Sequence, residues 1–179
     1  MKPAPKKPAP LTPDAMGPAM LKRENAPAPF VAVFTEAKAT NMPAGRMLIS
    51  SPLEISAVVA RIPDGRVLRM SDLRFSLAKS HKADYTCPNT TGSLLQIVAE
   101  ASDEERAMGR PGVPYWRVVR DDGSMIDTFP GGAVAQAKKL ERDGVELFRL
   151  TGATKVSDLE HFGWRAPPLG KNAGKPPTV

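Results

Sequence analysis

Apolar residues fall into a helical stripe soon after position 50. Ile55, Val58, Val59 and Ile62 stand at i, i+3, i+4 and i+7, the pattern of a helix with one buried face. Ser51 as cap, Pro52 at the first helical position and Glu54 three residues after the serine make a capping box that fixes its start. Pro63-Asp64-Gly65 is a turn that ends it. Val67–Leu68 then predicts a short strand. Ser71 predicts the cap of a second helix reaching about Ser80, with Leu73 and Leu77 inward. A third helix is expected from Asn89 or Thr90 to about Arg106, burying Leu94, Ile97, Val98 and Ala101.

Beyond the third helix the pattern continues with a helix over roughly Ala133–Arg142, stopped by Gly144 as a left-handed C-cap. Val145–Leu150 reads as a strand, and Ser157 with Glu160 as a second capping box opening a short last helix. Phe30–Phe34 and Met47–Ile49 are apolar runs of strand length. The sum predicts a mostly α domain with minor β, of helix-turn-helix type.

Composition places that domain between two tails. Residues 1–29 are built from Pro, Ala and Lys, which cannot offset ordering entropy by burial. The expected organisation is a disordered Pro/Ala/Lys-rich basic arm over 1–45, one domain over 46–165 and a disordered basic tail over 166–179. Residues 1–47 hold seven Lys/Arg against three Asp/Glu, and residues 165–179 hold three Lys/Arg and no acid. The net charge of +6 therefore belongs to the tails, and the domain between them is close to neutral. Nucleic-acid binding by the domain must rest on local clustering. The arms should supply most phosphate affinity at low salt, leaving the domain a shallow salt slope.

Candidate chemistry is sparse. The single cysteine, Cys87, excludes an internal disulfide, and with two distant histidines it cannot build a structural zinc site. No metal and no cofactor is expected. No segment approaches a membrane span, and Lys2 is followed by prolines rather than an apolar run, so the expected setting is cytoplasmic, on the nucleoid if DNA is bound. Cys87 precedes a helix start, where free N–H groups favour a thiolate. It reads more readily as a small buried hydrophobe beneath a cap at Asn89 or Thr90.

The most specific block is Val113-Pro114-Tyr115-Trp116-Arg117-Val118-Val119, followed by Asp121-Asp122-Gly123 and Pro130-Gly131-Gly132. It resembles the active-site loop of O6-alkylguanine-DNA alkyltransferases, which carries P-C-H-R-V with the cysteine as alkyl acceptor. Ile62-Pro63-Asp64-Gly65-Arg66-Val67 with Asp72-Leu73 is similar to the family's I-P-x-G-x-V…Y-x-D-[IL] segment. Gln136, Leu140 and Gly144-Val145 follow its G-G…Q…L…E-G-V end. The resemblance covers about 52–147, and it implies a winged-helix or helix-turn-helix-like alkyltransferase C-terminal domain. Thr86–Gly92, TCPNTTG, with the PYWR loop, is similar to a divergent bacterial subgroup of alkyltransferase-like sequences. Small alkyltransferase-like proteins lack the acceptor and bind alkylated guanine in DNA.

The departures matter as much as the matches. Tyr115 stands where the family has its cysteine and Trp116 where it has its histidine. Met70 stands at the nucleotide-flipping tyrosine, and Thr91–Gln96, matching the region of the wedge arginine, contains no Arg. Alkyl transfer through this loop is close to excluded, because a tyrosine of pKa about 10 is a poor nucleophile without an activating base.

The resemblance thus implies a non-enzymatic DNA-binding protein, linked to alkylated DNA and its repair, with Pro114, Tyr115, Trp116 and Arg117 as the lesion-pocket loop. The expected DNA face comprises Arg66, Arg69, Met70, Ser71, Arg74, Thr90, Thr91, Ser93 and Gln96. Six basic residues (Arg61, Arg66, Arg69, Arg74, Lys79, Lys82) against Asp64 and Asp72 lie around it, while Asp103-Glu104-Glu105 would repel a backbone. Tyr115 and Trp116 read either as base-stacking rings or as loop-packing core. The alternative class is a protein-interaction module holding a repair or other protein partner, and a third is a thiol enzyme using Cys87.

Overall fold

The structure is a computed structural model that describes residues 28–37 and 42–170; residues 1–27 of the expected arm and 171–179 of the expected tail lie outside the described residues. The described residues form a mixed α/β domain with five helices and three small sheets, rather than a mostly α one. Several strands are only two residues long, too short to leave a period-2 signal in sequence.

The first helix, α1 (Pro52–Val59), starts where its capping box dictates, with Ser51 Oγ accepting the Glu54 N–H at 3.3 Å. The buried Glu54 carboxylate accepts the Ser50 hydroxyl at 2.9 Å and lies 2.5 Å from His81 Nε2, which ties α1 to the end of the second helix. β1 (Phe30–Phe34) and β2 (Gly45–Ile49) pair antiparallel over five residues, and β4 (Tyr85–Thr86) runs parallel to β2 on its other side. β1 thus falls inside the segment expected to be a disordered arm.

Tertiary pairings move two helix starts away from their predicted caps. α2 (Met70–Ser80) follows directly on β3 (Leu68–Arg69), so Arg69 is its cap and Ser71 lies inside. The Ser71 N–H is instead satisfied by Asp121 Oδ1 at 2.7 Å. α3 (Pro88–Ala107) begins with Cys87 as cap and Pro88 in its first turn. Cys87 still belongs to the sheet on its N–H side, donating to the Leu48 carbonyl at 2.9 Å.

After α3, β5 (Val118–Val119) pairs parallel with β3, which sets the loop before it beside the start of α2. α4 (Gly132–Arg142) is followed by the hairpin of β6 (Leu147–Leu150) and β7 (Ala153–Val156). Asp158 rather than Ser157 caps α5 (Leu159–Phe162), accepting the N–H groups of Glu160 and His161. Leu48, Ile55, Leu68, Leu73, Leu77, Leu94 and Leu140 form the fully buried core, each stabilising by about 1.5–3 kcal/mol through apolar burial. The packed region also runs past 165. Ser76 Oγ donates to the Pro167 carbonyl at 3.0 Å, and the Leu169 N–H donates to Ser80 Oγ at 2.8 Å, so 166–170 lies along α2.

Candidate nucleic-acid interface

The Pro114–Arg117 loop is a closed structure. Tyr115–Arg117 forms a single 3-10 turn whose rings point inward, leaving Tyr115 1% and Trp116 7% exposed. Tyr115 meets Phe129 and Trp116 edge-to-face, at centroid distances of 5.2 and 5.5 Å. Its hydroxyl donates to Asp103 Oδ1 at 2.8 Å and accepts from Lys139 Nζ at 2.5 Å, while the same amine reaches Asp103 at 2.9 Å. Burial, and then the bond to the Asp103 carboxylate, raise the phenol pKa above its ordinary value. A phenol in that position holds its proton and is no nucleophile.

The neighbouring side chains complete the closure. Trp116 Nε1 donates to Asp143 Oδ2 at 2.8 Å, and Arg117 Nε donates to the same oxygen at 2.6 Å. Arg117 also reaches the Ile62 carbonyl at 2.8 Å and Asp64 at 2.6 Å, and the Arg106 guanidinium lies 4.5 Å over the Trp116 ring. Buried Gln136 bonds the Trp116 and Val118 carbonyls and accepts the Ile126 N–H. Gly131 and Gly132 have φ of +76° and +67°, and a Cβ on Gly131 would stand 2.6 Å from that of Ala135. Only glycine fits a turn of that sign and closeness. Of the two readings of the ring pair, base-stacking or loop-packing, the structure has both rings in the core, and Arg117 is the loop's tether.

The nine residues expected on the DNA face divide. Thr91 is buried, its hydroxyl donating to the Cys87 carbonyl at 2.7 Å, and is removed from any contact surface. Thr90 is half-buried and donates to Cys87 Sγ at 3.2 Å. Arg66 points to the other side, onto the His161 carbonyl in α5. Met70 packs against the core. Arg69, the cap of α2, is paired with Asp72 at 2.7 Å, and Arg74, within α2, with Asp121 at 3.5 Å. Ser93 is exposed, and Gln96 is half-buried with its amide on Glu100 at 3.0 Å.

The structure adds Asn89 and Gly92 to this face, both exposed on the N-terminal half of α3. A methyl built on Gly92 would meet nothing within 4 Å. Phe75, 61% exposed, stands on the outer side of α2. Its signal in sequence was its place two residues after Leu73 and two before Leu77, off their shared face. Two of the three acids read as repelling are engaged within the fold: Asp103 holds Tyr115 and Lys139, and Glu105 pairs with Arg110. Cys87 is 5% exposed, and its sulfur is covered by the Thr90 hydroxyl, as the bland reading of this thiol requires.

No family model matches the chain, and no curated protein does. Among solved structures it is similar to S. pombe Atl1 in complex with damaged DNA containing O6-carboxymethylguanine, at 20% identity, 64% coverage of this chain, 94% of that chain and a TM-score of 0.47. It is similar also to S. pombe ATL in complex with DNA, at 21% identity, 64% and 94% coverage and a TM-score of 0.47.

Proposed function

We propose that the chain is a non-enzymatic, duplex-DNA-binding domain of alkyltransferase-like, helix-turn-helix type, with α3 as the helix laid against DNA. The observation that carries this reading is the exposed N-terminal half of α3. Its outer residues Asn89, Gly92 and Ser93 are small and neutral, and the first turn holds no acid. Free N–H groups at that end favour a phosphate. Glycine inside a helix costs about 1 kcal/mol relative to alanine. At Gly92 nothing in the fold requires it, and its lack of a side chain suits close approach of a ligand backbone.

Arg74 lies near Pro88 at the start of this helix, and backbone and shape contacts outweigh base readout, because Gln96 is already engaged by Glu100. Such a protein acts in the cytoplasm, on the nucleoid. The filled loop argues against reading an alkylated base by extrusion. Flipping costs a few kcal/mol that pocket contacts must return, and Tyr115 with Phe129 occupies the interior beside the loop.

The test is a fluorescence-anisotropy titration of the full chain against plain duplex and duplex with a central O6-methylguanine, at two salt concentrations. The reading expects salt-dependent binding of both, within about twofold of each other. A strong lesion preference would overturn the closed-loop part, and no binding to either would overturn the DNA part. One feature favours a partner protein as second reading: Val134 and Leu150, 69% and 52% exposed, line an open cleft of about 830 Å³ between α4 and the β6–β7 hairpin.

A further inference from the structure

A second concavity lies on the outer side of α2, apart from the loop and from the exposed residues of α3. It is an apolar hollow of about 340 Å³, walled by Phe75 and Ala78 of α2, by Pro43 and by the Tyr85 ring. That size is at the lower end for pockets that hold a small organic group. Tyr85 is fixed there by its hydroxyl, which donates to the Pro43 carbonyl at 2.7 Å. Pro88, in the first turn of α3, closes the end of the hollow nearest the proposed DNA helix.

The charge around the hollow favours an anionic partner. Arg74 and Lys79 line it, and the Lys79 amine stands 5.2 Å from the centroid of the Phe75 ring. The carboxylate on the rim, Asp84, is neutralised by Arg46, which reaches it through its guanidinium at 2.9 Å and its backbone N–H at 2.7 Å. Asp121, opposite Arg74, is engaged by that arginine and by the Ser71 N–H. An exposed ring, an apolar hollow and two basic side chains beside it, Lys79 and the Asp121-paired Arg74, are the parts of a stacking platform for a nucleic-acid strand. A paired base keeps both faces within the duplex stack and has none to offer Phe75.

We infer that the Phe75 hollow binds one unpaired nucleotide of a DNA strand, its base stacked on Phe75 and its phosphates toward Lys79 and Arg74. The inference rests on the proposal that α3 contacts DNA, and it adds a preference: gapped or frayed duplex over intact duplex. Its place beside Pro88 means that a strand leaving the α3 face would pass over it.

The experiment measures binding of the full chain to three labelled DNAs: an intact duplex, the same duplex with a short internal gap, and oligo(dT). The unchanged chain should bind the gapped duplex about tenfold tighter than the intact one, the scale of one base–aromatic stack. Phe75→Ala should remove that preference and leave intact-duplex affinity as it was, while Phe75→Trp should keep it. Phe75 lies outside the core, so all three proteins should unfold at the same temperature. Binding to intact duplex without a gap preference, or a preference that survives Phe75→Ala, would overturn the inference and leave the α3 reading standing. Failure to bind any of the three DNAs would overturn both.

Discussion

The Pro114–Arg117 loop, the most specific block in the sequence, and the N-terminal half of α3, one of its plainer stretches, have opposite physical fates. In the loop every distinctive side chain is turned inward and bonded: Tyr115 to Asp103 and Lys139, Trp116 and Arg117 to Asp143. On α3 the outer residues are small, neutral and open, and one of them, Gly92, has empty space where a side chain would stand. The loop is specific in sequence because its packing is specific. The helix face is plain in sequence because it leaves room for something else. A block that is specific in sequence can therefore mark packing rather than an open surface.

The largest test of the contrast lies at the loop's tether. Asp143→Ala removes the shared partner of Trp116 and Arg117 and leaves a guanidinium that is 9% exposed with only Asp64 and a carbonyl. It should destabilise the protein by about 3 kcal/mol, the low end for breaking a buried ion pair, read as a fall in the urea midpoint. A loss under about 1 kcal/mol would show the loop less tightly held than its bonds imply.

Tyr115→Phe is milder, since Asp103 and Lys139 still pair with each other at 2.9 Å. The expected cost is about 1–2 kcal/mol, with no change in affinity for plain duplex. A drop in DNA binding with the fold intact would mean that the loop faces the ligand after all.

Gly92→Ala probes the other region and should move two properties in opposite directions. Stability should rise by about 0.5–1 kcal/mol, because the helix gains a better former at an open site. Duplex affinity should fall, because the methyl stands where the DNA backbone approaches. Higher stability with unchanged affinity would remove α3 from the interface.

The smallest effect is at Asp84, on the rim of the Phe75 hollow. Arg46 holds the Asp84 carboxyl down to about 2, first through the side-chain hydrogen bond and then through its backbone N–H. A depressed folded-state pKa contributes stability above the unfolded carboxylate value near 4, and loses it as pH falls from about 4 to 2. Arg46→Met should therefore differ slightly from the unchanged chain at pH 6, and the difference should vanish by about pH 2. A difference that grows on acidification would contradict the assignment.

Parts of this structure were readable in advance and parts were not, for identifiable reasons. The Ser51 cap of α1 is local, using groups three residues apart, and it forms as read, while the Glu54 carboxylate turns to Ser50 and His81 instead of closing the box. The glycine turn at 131–132 is also local, and its left-handed backbone needs no distant partner. The caps of α2 and α3 failed because β3 and β4 enter those helices directly, through pairings with β5 and β2 far along the chain. The fate of Tyr115 depended on Asp103 and Lys139, 12 and 24 residues away, which read as surface charges until the fold brings them together. Asp103 in particular looked like an obstacle to DNA and is instead the tyrosine's anchor. Gly92 and Phe75 gave only weak signals, since an exposed glycine and an off-face aromatic acquire meaning only once the space around them is known.

The most direct test of the central claim is an amide chemical-shift titration of the full chain with plain duplex DNA. The account predicts that the amides of Asn89–Gln96 move while those of Tyr115–Val119 stay in place. Shifts centred on the Tyr115–Val119 loop, with α3 unperturbed, would contradict it.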